Sequence, residues 1–155
     1  DVEADAKPFR PVAMRVLNKQ KQVTDTIRSI DPMFIEVEYE LEAPITGLRV
    51  GVYLMSMRGE FVFTSFDTDD PEEYNRLTMR KAGRYISRVR IPADMLNEGS
   101  FVIGMNASVF RVKRYFHDAN AVVFTVNPAG APGMQWAESR QGVTRPRLDW
   151  QIEEK

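Results

Sequence analysis

The chain has no cysteine among its 155 residues. This absence excludes disulfide bonds, thiolate nucleophiles and cysteine-ligated zinc sites together, and it is compatible with a reducing compartment. A chain of this length needs neither a disulfide nor a metal to fold, because a single domain of this size buries about 70% of its unfolded surface.

The chain also lacks an excess of charge of either sign. Its 21 lysines and arginines and its 22 aspartates and glutamates give a formal net charge of -1, which argues against a nucleic-acid partner held by phosphate neutralisation. No apolar run approaches the roughly 18 residues of a membrane span. The polar segment Asp1–Pro11 does not resemble a signal peptide, and a first residue other than methionine suggests a fragment of a longer protein or a processed product.

Catalytic motifs are missing as well. The sequence contains no G-x-S-x-G, H-E-x-x-H, P-loop or Rossmann glycine pattern. The single histidine, His117, precedes Asp118, and we interpret the two as a local turn pair because no second base or nucleophile is marked out nearby. The acidic loop Asp67–Glu73 offers oxygen ligands but lacks the calcium-loop spacing, so we interpret it as solvated. We therefore predict no catalytic residue, no metal site and no cofactor.

What the sequence does contain is a succession of strands. The clearest is Met33–Leu41, in which Ile35, Val37 and Tyr39 alternate with three glutamates. A period of two places one face in the core and the other in water, whereas a helix would scatter the glutamates around its axis.

The remaining strands and turns predict the fold class. About eight strands with a turn roughly every 8–12 residues predict an all-β protein, an antiparallel β-sandwich of immunoglobulin-like or jelly-roll type. A tight turn is predicted at Arg58–Gly59, and another at His117–Asn120. The other predicted strands are Val12–Leu17, Thr46–Met57, Glu60–Phe66, Arg84–Ile91, Ser100–Ser108, Phe110–Phe116 and Ala121–Val126.

The sequence divides into four segments. We predict a linker or arm at 1–11, the sandwich at 12–127, a proline- and glycine-rich linker at 128–141 and a C-terminal strand at 142–155. Leu148, Trp150 and Ile152 share one face of that last strand. A strand beyond a linker must fold back on its own sheet or pair with another subunit. We predict these three residues to be dimerisation residues.

Arginines and aromatic residues supply the candidate binding residues. Arginine forks bind carboxylates and phosphates, although the basic segment Arg80–Arg90 is better interpreted as a solvated strand face opposed by the glutamates of Met33–Leu41. Aromatic rings offer an apolar platform for the C–H faces of sugars. Several of these residues lie on neighbouring predicted strands. The predicted carbohydrate-binding residues are Tyr53, Phe66, Arg84, Tyr85 and Arg88.

Seven short segments, in one order and spacing, cover most of the chain. They are Met14–Leu17, Gly51–Leu54, Arg58–Glu60, Ser65–Asp69, Gly83–Pro92, Leu96–Gly99 and Gly142–Trp150. In this arrangement the sequence resembles the C-terminal domain of Wzt, the nucleotide-binding subunit of ABC transporters that export O-antigen polysaccharide.

The resemblance implies a carbohydrate-binding β-sandwich that recognises the modified non-reducing end of a finished O-antigen chain. It implies a homodimer with an exchanged C-terminal strand, and, in the full-length protein, an ATPase domain and a membrane permease as partners. It also implies a cytoplasmic location, peripheral to the inner membrane. The ATP-binding motifs of such a protein do not occur in this chain. No binding residue is carried over, because these vary with the glycan.

Two other functions stay open at this stage. A structural or protein-interaction sandwich would have no affinity for saccharides. A carbohydrate-active enzyme would need two carboxylates at the separation that glycoside hydrolysis requires.

Overall fold

The computed structural model describes residues 6–155, so the first five residues of the predicted arm lie outside the described residues. A single short α-helix, α1 (Pro71–Arg76), and two 3₁₀ turns interrupt a chain of strands in this part. The strands are β1 (Phe9–Leu17), β2 (Thr26–Arg28), β3 (Met33–Leu41), β4 (Ile45–Thr46), β5 (Leu48–Ser56), β6 (Phe61–Phe66), β7 (Met79–Arg80), β8 (Gly83–Ile91), β9 (Gly99–Val109) and β10 (Lys113–Asn127).

Two large sheets form the fold. One has three strands in the order β1-β3-β8, and the other has five in the order β2-β10-β9-β5-β6. All neighbours in these sheets are antiparallel except β2 and β10. The short strands β4 and β7 pair with each other. This architecture confirms the predicted all-β antiparallel sandwich. None of the helices in the described residues is long and apolar enough to cross a membrane.

The core lies between the two large sheets because alternate residues of each strand point inward. Phe9 on β1 stacks on Tyr39 of β3 with ring centres 5.2 Å apart and on Phe116 of β10 with ring centres 6.4 Å apart. These rings therefore join one sheet to the other. Phe9 is buried, so β1 begins within the segment 1–11 that the sequence analysis assigned to an arm.

The predicted turn at His117–Asn120 is wrong. Both flanking segments belong to one strand, β10, which carries an irregularity between Asp118 and Val122 instead of a turn. Gly104 of β9 makes this possible, because a Cβ atom there would lie 2.8 Å from the Asp118 carbonyl oxygen. The bulged residues therefore approach β9 more closely than a side chain would allow. The actual turn precedes Lys113.

Segment 128–141, expected to be a linker, is packed against the sandwich. The buried Arg145 donates hydrogen bonds to the carbonyls of Pro132 at 2.8 Å and of Glu138 at 2.6 Å. The side-chain amide of Asn97 donates to the carbonyl of Arg140 at 2.7 Å. A buried arginine and a buried asparagine thus give this segment the partners that its composition alone does not indicate.

The last residues extend from this packed segment into solvent. Within 142–155, the only strand-type pairing in the described chain is an isolated bridge between Thr144 and Leu96. Leu148, Trp150 and Ile152 are 66%, 86% and 97% exposed. Residues 6–155 therefore leave most of the surface of these three apolar side chains uncovered.

Candidate functional site

The five predicted binding residues lie on three different surfaces. Side chains alternate between the two faces of a strand, so Arg84 and Arg88 point outward from the three-stranded sheet while Tyr85, between them, points toward the core. Tyr53 and Phe66 lie on the outer face of the five-stranded sheet. The structure therefore brings Tyr53 and Phe66 together on this outer face. Phe66 also lines a second cavity, between the two sheets, together with Tyr85 and Arg88.

Arg84 and Arg88 are matched by the glutamates of β3. Arg88 Nε donates to Glu36 Oε1 at 2.7 Å, and the guanidinium of Arg84 lies 3.4 Å from Glu38 and 3.6 Å from Glu40. This is the opposed strand face that the sequence analysis favoured for the basic segment. The arginines hold β3 and β8 together, and their charges are already compensated.

Tyr85 belongs to the packing between the sheets. Its ring stacks on Tyr39 with centres 5.5 Å apart, and its hydroxyl donates to the carbonyl of Lys81 at 2.7 Å. Nearby, Arg80 forms a salt bridge with Asp67 at 2.9 Å. Burial raises the pKa of the Tyr39 hydroxyl above its ordinary value. This cluster lines a cavity of about 580 Å³ between the sheets, to which Phe66 and Arg88 also contribute.

Tyr53 and Phe66 are positioned by their neighbours on β5 and β6. Gly51 pairs with Phe66, and a Cβ atom at Gly51 would overlap the Phe66 ring. The ring therefore lies directly over the glycine. Tyr53 contacts Phe61 edge-on with ring centres 5.8 Å apart and lies 5.6 Å from the His117 ring. Aromatic rings thus line this face of the sheet.

Polar side chains continue the same face across β9 and β10. Asn106 and His117 are directly paired in the sheet. Asn106 is only 7% exposed, and neither its Oδ1 atom nor Nδ1 of His117 has a hydrogen-bond partner among the described residues. An unpaired buried polar atom costs about 1–3 kcal/mol, and such atoms usually bind water or a ligand. An amide oxygen accepts, and an imidazole nitrogen accepts or donates according to its tautomer.

A positively charged rim surrounds these polar atoms. The guanidinium of Arg49 lies over the rings of Phe66 and Phe110, at 3.9 and 4.8 Å from their centres. Its Nε donates to Ser108 Oγ at 3.3 Å. The groove has a volume of about 380 Å³. We call it the outer groove. Its lining residues are Arg49, Tyr53, Phe66, Asn106, Ser108, Val109, Phe110, Arg111, Val112, Lys113 and Arg114.

Arg49 and Asn106, which line this groove, and His117, which lies beside it next to Tyr53 and Asn106, are absent from the binding residues predicted from the sequence. Arg49 has the same strand phase as Tyr53, and Asn106 is polar within an otherwise apolar strand. Both are signals of a functional outer face. His117 was missed because it was assigned to a turn. In the described residues, no three His, Asp or Glu side chains come together as a metal site would require.

Comparisons with known proteins agree with this fold. The family model described as the Wzt C-terminal domain matches residues 10–138. A crystal structure of the C-terminal domain of Wzt superposes with a TM-score of 0.76 at 9% sequence identity, and the match covers 94% of this chain and 84% of that one. At this identity the structural match shows a shared fold. No curated protein matches the sequence.

Proposed function

Because this chain belongs to the Wzt C-terminal domain family, we propose that it is a non-catalytic domain that binds the modified non-reducing end of an O-antigen polysaccharide. The domain would act within the ABC transporter that exports the finished chain. In this role it selects cargo and leaves ATP hydrolysis to a separate ATPase domain.

The observation that carries the proposal is the composition of the outer groove. Tyr53 and Phe66 provide ring surface for the C–H faces of a sugar. The Asn106 oxygen is buried among them without a partner in the described chain. A sugar hydroxyl can donate a hydrogen bond to this amide oxygen. Few other ligands combine an apolar face with so many hydroxyl groups.

The groove is suited to weak, reversible binding. It is shallow and presents few rings, so we expect a dissociation constant between micromolar and millimolar, or about -4 to -8 kcal/mol. A transporter must release what it selects, and weak binding permits that release.

We further propose that the C-terminal segment joins two copies of the chain. Leu148, Trp150 and Ile152 are exposed in the single chain. At about 25 cal/mol per Å² of apolar surface, burying a tryptophan and two aliphatic side chains contributes several kcal/mol. The groove of about 530 Å³ beside Trp136 and Trp150 is a place where such contacts can form. Exchange of this segment in a homodimer accounts for its exposure.

The remaining partners follow from the family. In the full-length protein they would be an ATPase domain and a membrane permease, and the domain would be cytoplasmic and peripheral to the inner membrane. The described residues offer no apolar helix that could place the domain in the membrane itself.

Calorimetry with two forms of one polysaccharide tests the proposal. The O-polysaccharide of the organism that encodes this chain is titrated intact, and again after its terminal residue has been removed. We expect only the intact polymer to bind. Equal binding of both would contradict recognition of the chain end. Binding of neither would favour a structural or protein-interaction domain.

A further inference from the structure

We infer that the glycan end bound in the outer groove carries a negatively charged group, a carboxylate or a phosphate attached to the sugar. This inference rests on the proposed function and adds the chemical class of the ligand. Its basis is a set of four cations that have no counter-charge: Arg49, Arg111, Lys113 and Arg114.

The two sides of the sandwich differ in how their charges are compensated. On the outer face of the three-stranded sheet, Arg15, Arg84 and Arg88 pair with glutamates of β3, and Arg90 at the end of β8 is an isolated cation without a salt bridge to residues 6–155. At the groove, none of the four cations forms a salt bridge with a carboxylate of residues 6–155. The chain as a whole is nearly neutral, so this local excess is a property of the groove. Clustered charges of one sign attract ligands of the other.

Arg49 is held in place before any ligand arrives. Its guanidinium stacks on Phe66 and Phe110, and its Nε is engaged by Ser108. Its two terminal nitrogens form no hydrogen bond with the described residues. A guanidinium that is held in place and has both terminal nitrogens free can donate to two oxygens of one carboxylate or phosphate. Little side-chain entropy remains to be lost on binding.

The other three cations come from the turn between β9 and β10 and from the start of β10. Arg111 adopts a left-handed conformation with φ of 60° at this turn. The guanidinium of Arg111 lies 5.1 Å from the centre of the Phe110 ring, and the amine of Lys113 lies 5.0 Å from that of Tyr115. Arg111 and Lys113 thus each lie over an aromatic ring, and none of the three cations forms a salt bridge with residues 6–155.

The four cations and the buried polar side chain of Asn106 would bind different parts of one ligand. Asn106 matches a hydroxyl group of a sugar ring, and the four cations match an anionic substituent on it. A neutral sugar would leave four unpaired cations around the groove. A free anion would leave Asn106 and the rings of Tyr53 and Phe66 unused. An acidic or phosphorylated sugar uses both.

The test compares chemically neutralised forms of the O-polysaccharide from the encoding organism. One sample is untreated, one is carboxyl-reduced with carbodiimide and borohydride, and one is dephosphorylated with hydrofluoric acid. We expect one treatment to weaken binding about tenfold, as the loss of a charge-assisted contact does. The treatment that does so identifies the group. Raising sodium chloride from about 50 to 500 mM should weaken binding of each polymer that keeps the charged group, and it should have little effect on the polymer that has lost it.

Variants assign the effect to the groove. Arg49→Gln and Arg114→Gln should each bind the untreated polymer about tenfold more weakly and reduce the difference between treated and untreated forms. Arg88→Gln, on the other sheet, should bind normally, and circular dichroism confirms that each variant is folded. If all three polysaccharide samples bind equally, the inference is wrong and the proposed function stands. If the untreated polymer does not bind, the proposed function fails.

Discussion

The guanidinium carbon of Arg49 lies 3.9 Å from the centre of the Phe66 ring. Arg49 is on β5 and Phe66 is the last residue of β6. The contact forms because the glycine at position 51, two residues after Arg49, leaves room for the ring on the sheet. A cation–π contact at an exposed site contributes about 0.5–1 kcal/mol. Its larger effect here is to fix a charged group in the outer groove.

Tyr53→Ala should weaken binding of the O-polysaccharide. The substitution removes a ring that stacks with sugar and contacts His117, and aromatic pairs contribute about 0.5–1.5 kcal/mol beyond their buried area. We therefore expect a three- to tenfold rise, roughly, in the dissociation constant measured by calorimetry. Tyr74→Ala, on α1 and outside the groove, is the matched control and should bind normally. If both variants bound the polysaccharide with equal affinity, Tyr53 would not be a binding residue.

Gly104→Ala should destabilise the sandwich. The added methyl group would lie 2.8 Å from the Asp118 carbonyl and 3.0 Å from the Cα of Ala119, both backbone atoms that cannot rotate away. Overpacking of this kind costs about 1–3 kcal/mol. Urea unfolding should show a lower midpoint with an unchanged slope. A midpoint equal to that of the unsubstituted chain would show that the bulge in β10 moves freely.

Asp67→Asn should be far more destabilising than an exposed substitution of the same kind. Asp67 accepts from the Val50 amide at 3.0 Å and from Ser87 at 2.8 Å, and it balances the buried charge of Arg80 at 2.9 Å. Removing one partner of a buried pair costs about 3–5 kcal/mol, and we expect about 3 because Asp67 is partly exposed. Glu73→Gln breaks only an exposed pair with Arg76 and should cost under about 1 kcal/mol. Similar losses for both variants in urea unfolding would contradict this account.

The substitution Arg10→Gln should make the free energy of unfolding less dependent on pH in the acid range. The hydrogen bond from Arg10 holds the pKa of the Glu40 carboxyl below its ordinary value. A lowered pKa in the folded state stabilises the fold above the ordinary glutamate pKa, and this contribution is lost as the pH falls through the lowered value. The unsubstituted chain should therefore have the larger free energy of unfolding at pH 7, and this difference from Arg10→Gln should disappear by about pH 3. Urea unfolding at four pH values checks it.

The control for this pH series is Arg58→Gln. Arg58 lies in the turn between β5 and β6 and forms no salt bridge with the described carboxylates. The difference in free energy of unfolding between Arg58→Gln and the unsubstituted chain should be the same at every pH between pH 3 and pH 7. A constant difference for Arg10→Gln as well would show that Glu40 has an ordinary pKa.

Deletion of residues 148–155 should convert a dimer to a monomer. The deletion removes Leu148, Trp150 and Ile152 but keeps Arg145, whose hydrogen bonds to Pro132 and Glu138 anchor the preceding segment. Light scattering should give the mass of one chain for this variant and of two for the full chain. Deletion of 153–155 alone, which removes only charged residues, should leave the dimer intact. A stable dimer after the longer deletion would rule out this interface.

The sequence predicted the sheets well because their pattern is local. Alternation of apolar residues and glutamates placed β3 at Met33–Leu41, as found, and the Arg58–Gly59 turn between β5 and β6 is confirmed. The turn predicted at His117–Asn120 is wrong because of a residue that is distant in the sequence. Polar residues there resemble a turn, but Gly104 on the neighbouring strand accommodates them as a bulge within β10.

The candidate site was harder to predict because it depends on which strands become neighbours. Tyr53 and Phe66 were identified, and they meet on one face. Arg84 and Arg88 were placed with them, but β8 pairs with β3 in the other sheet. Strand phase alone cannot assign a strand to a sheet. Asn106 and His117 become candidate site residues only in the structure, where they pair with each other and each has a buried polar atom without a partner in residues 6–155.

The most direct test of the central claim is a map of where the glycan binds. Amide resonances of the isotope-labelled chain are followed while an oligosaccharide carrying the non-reducing end of the O-polysaccharide is added. We expect the largest shifts at Arg49, Tyr53, Asn106 and His117, with Arg84 and Arg88 unaffected. Shifts confined to the outer face of the three-stranded sheet, or no shifts at all, would contradict the assignment of the outer groove as the binding site.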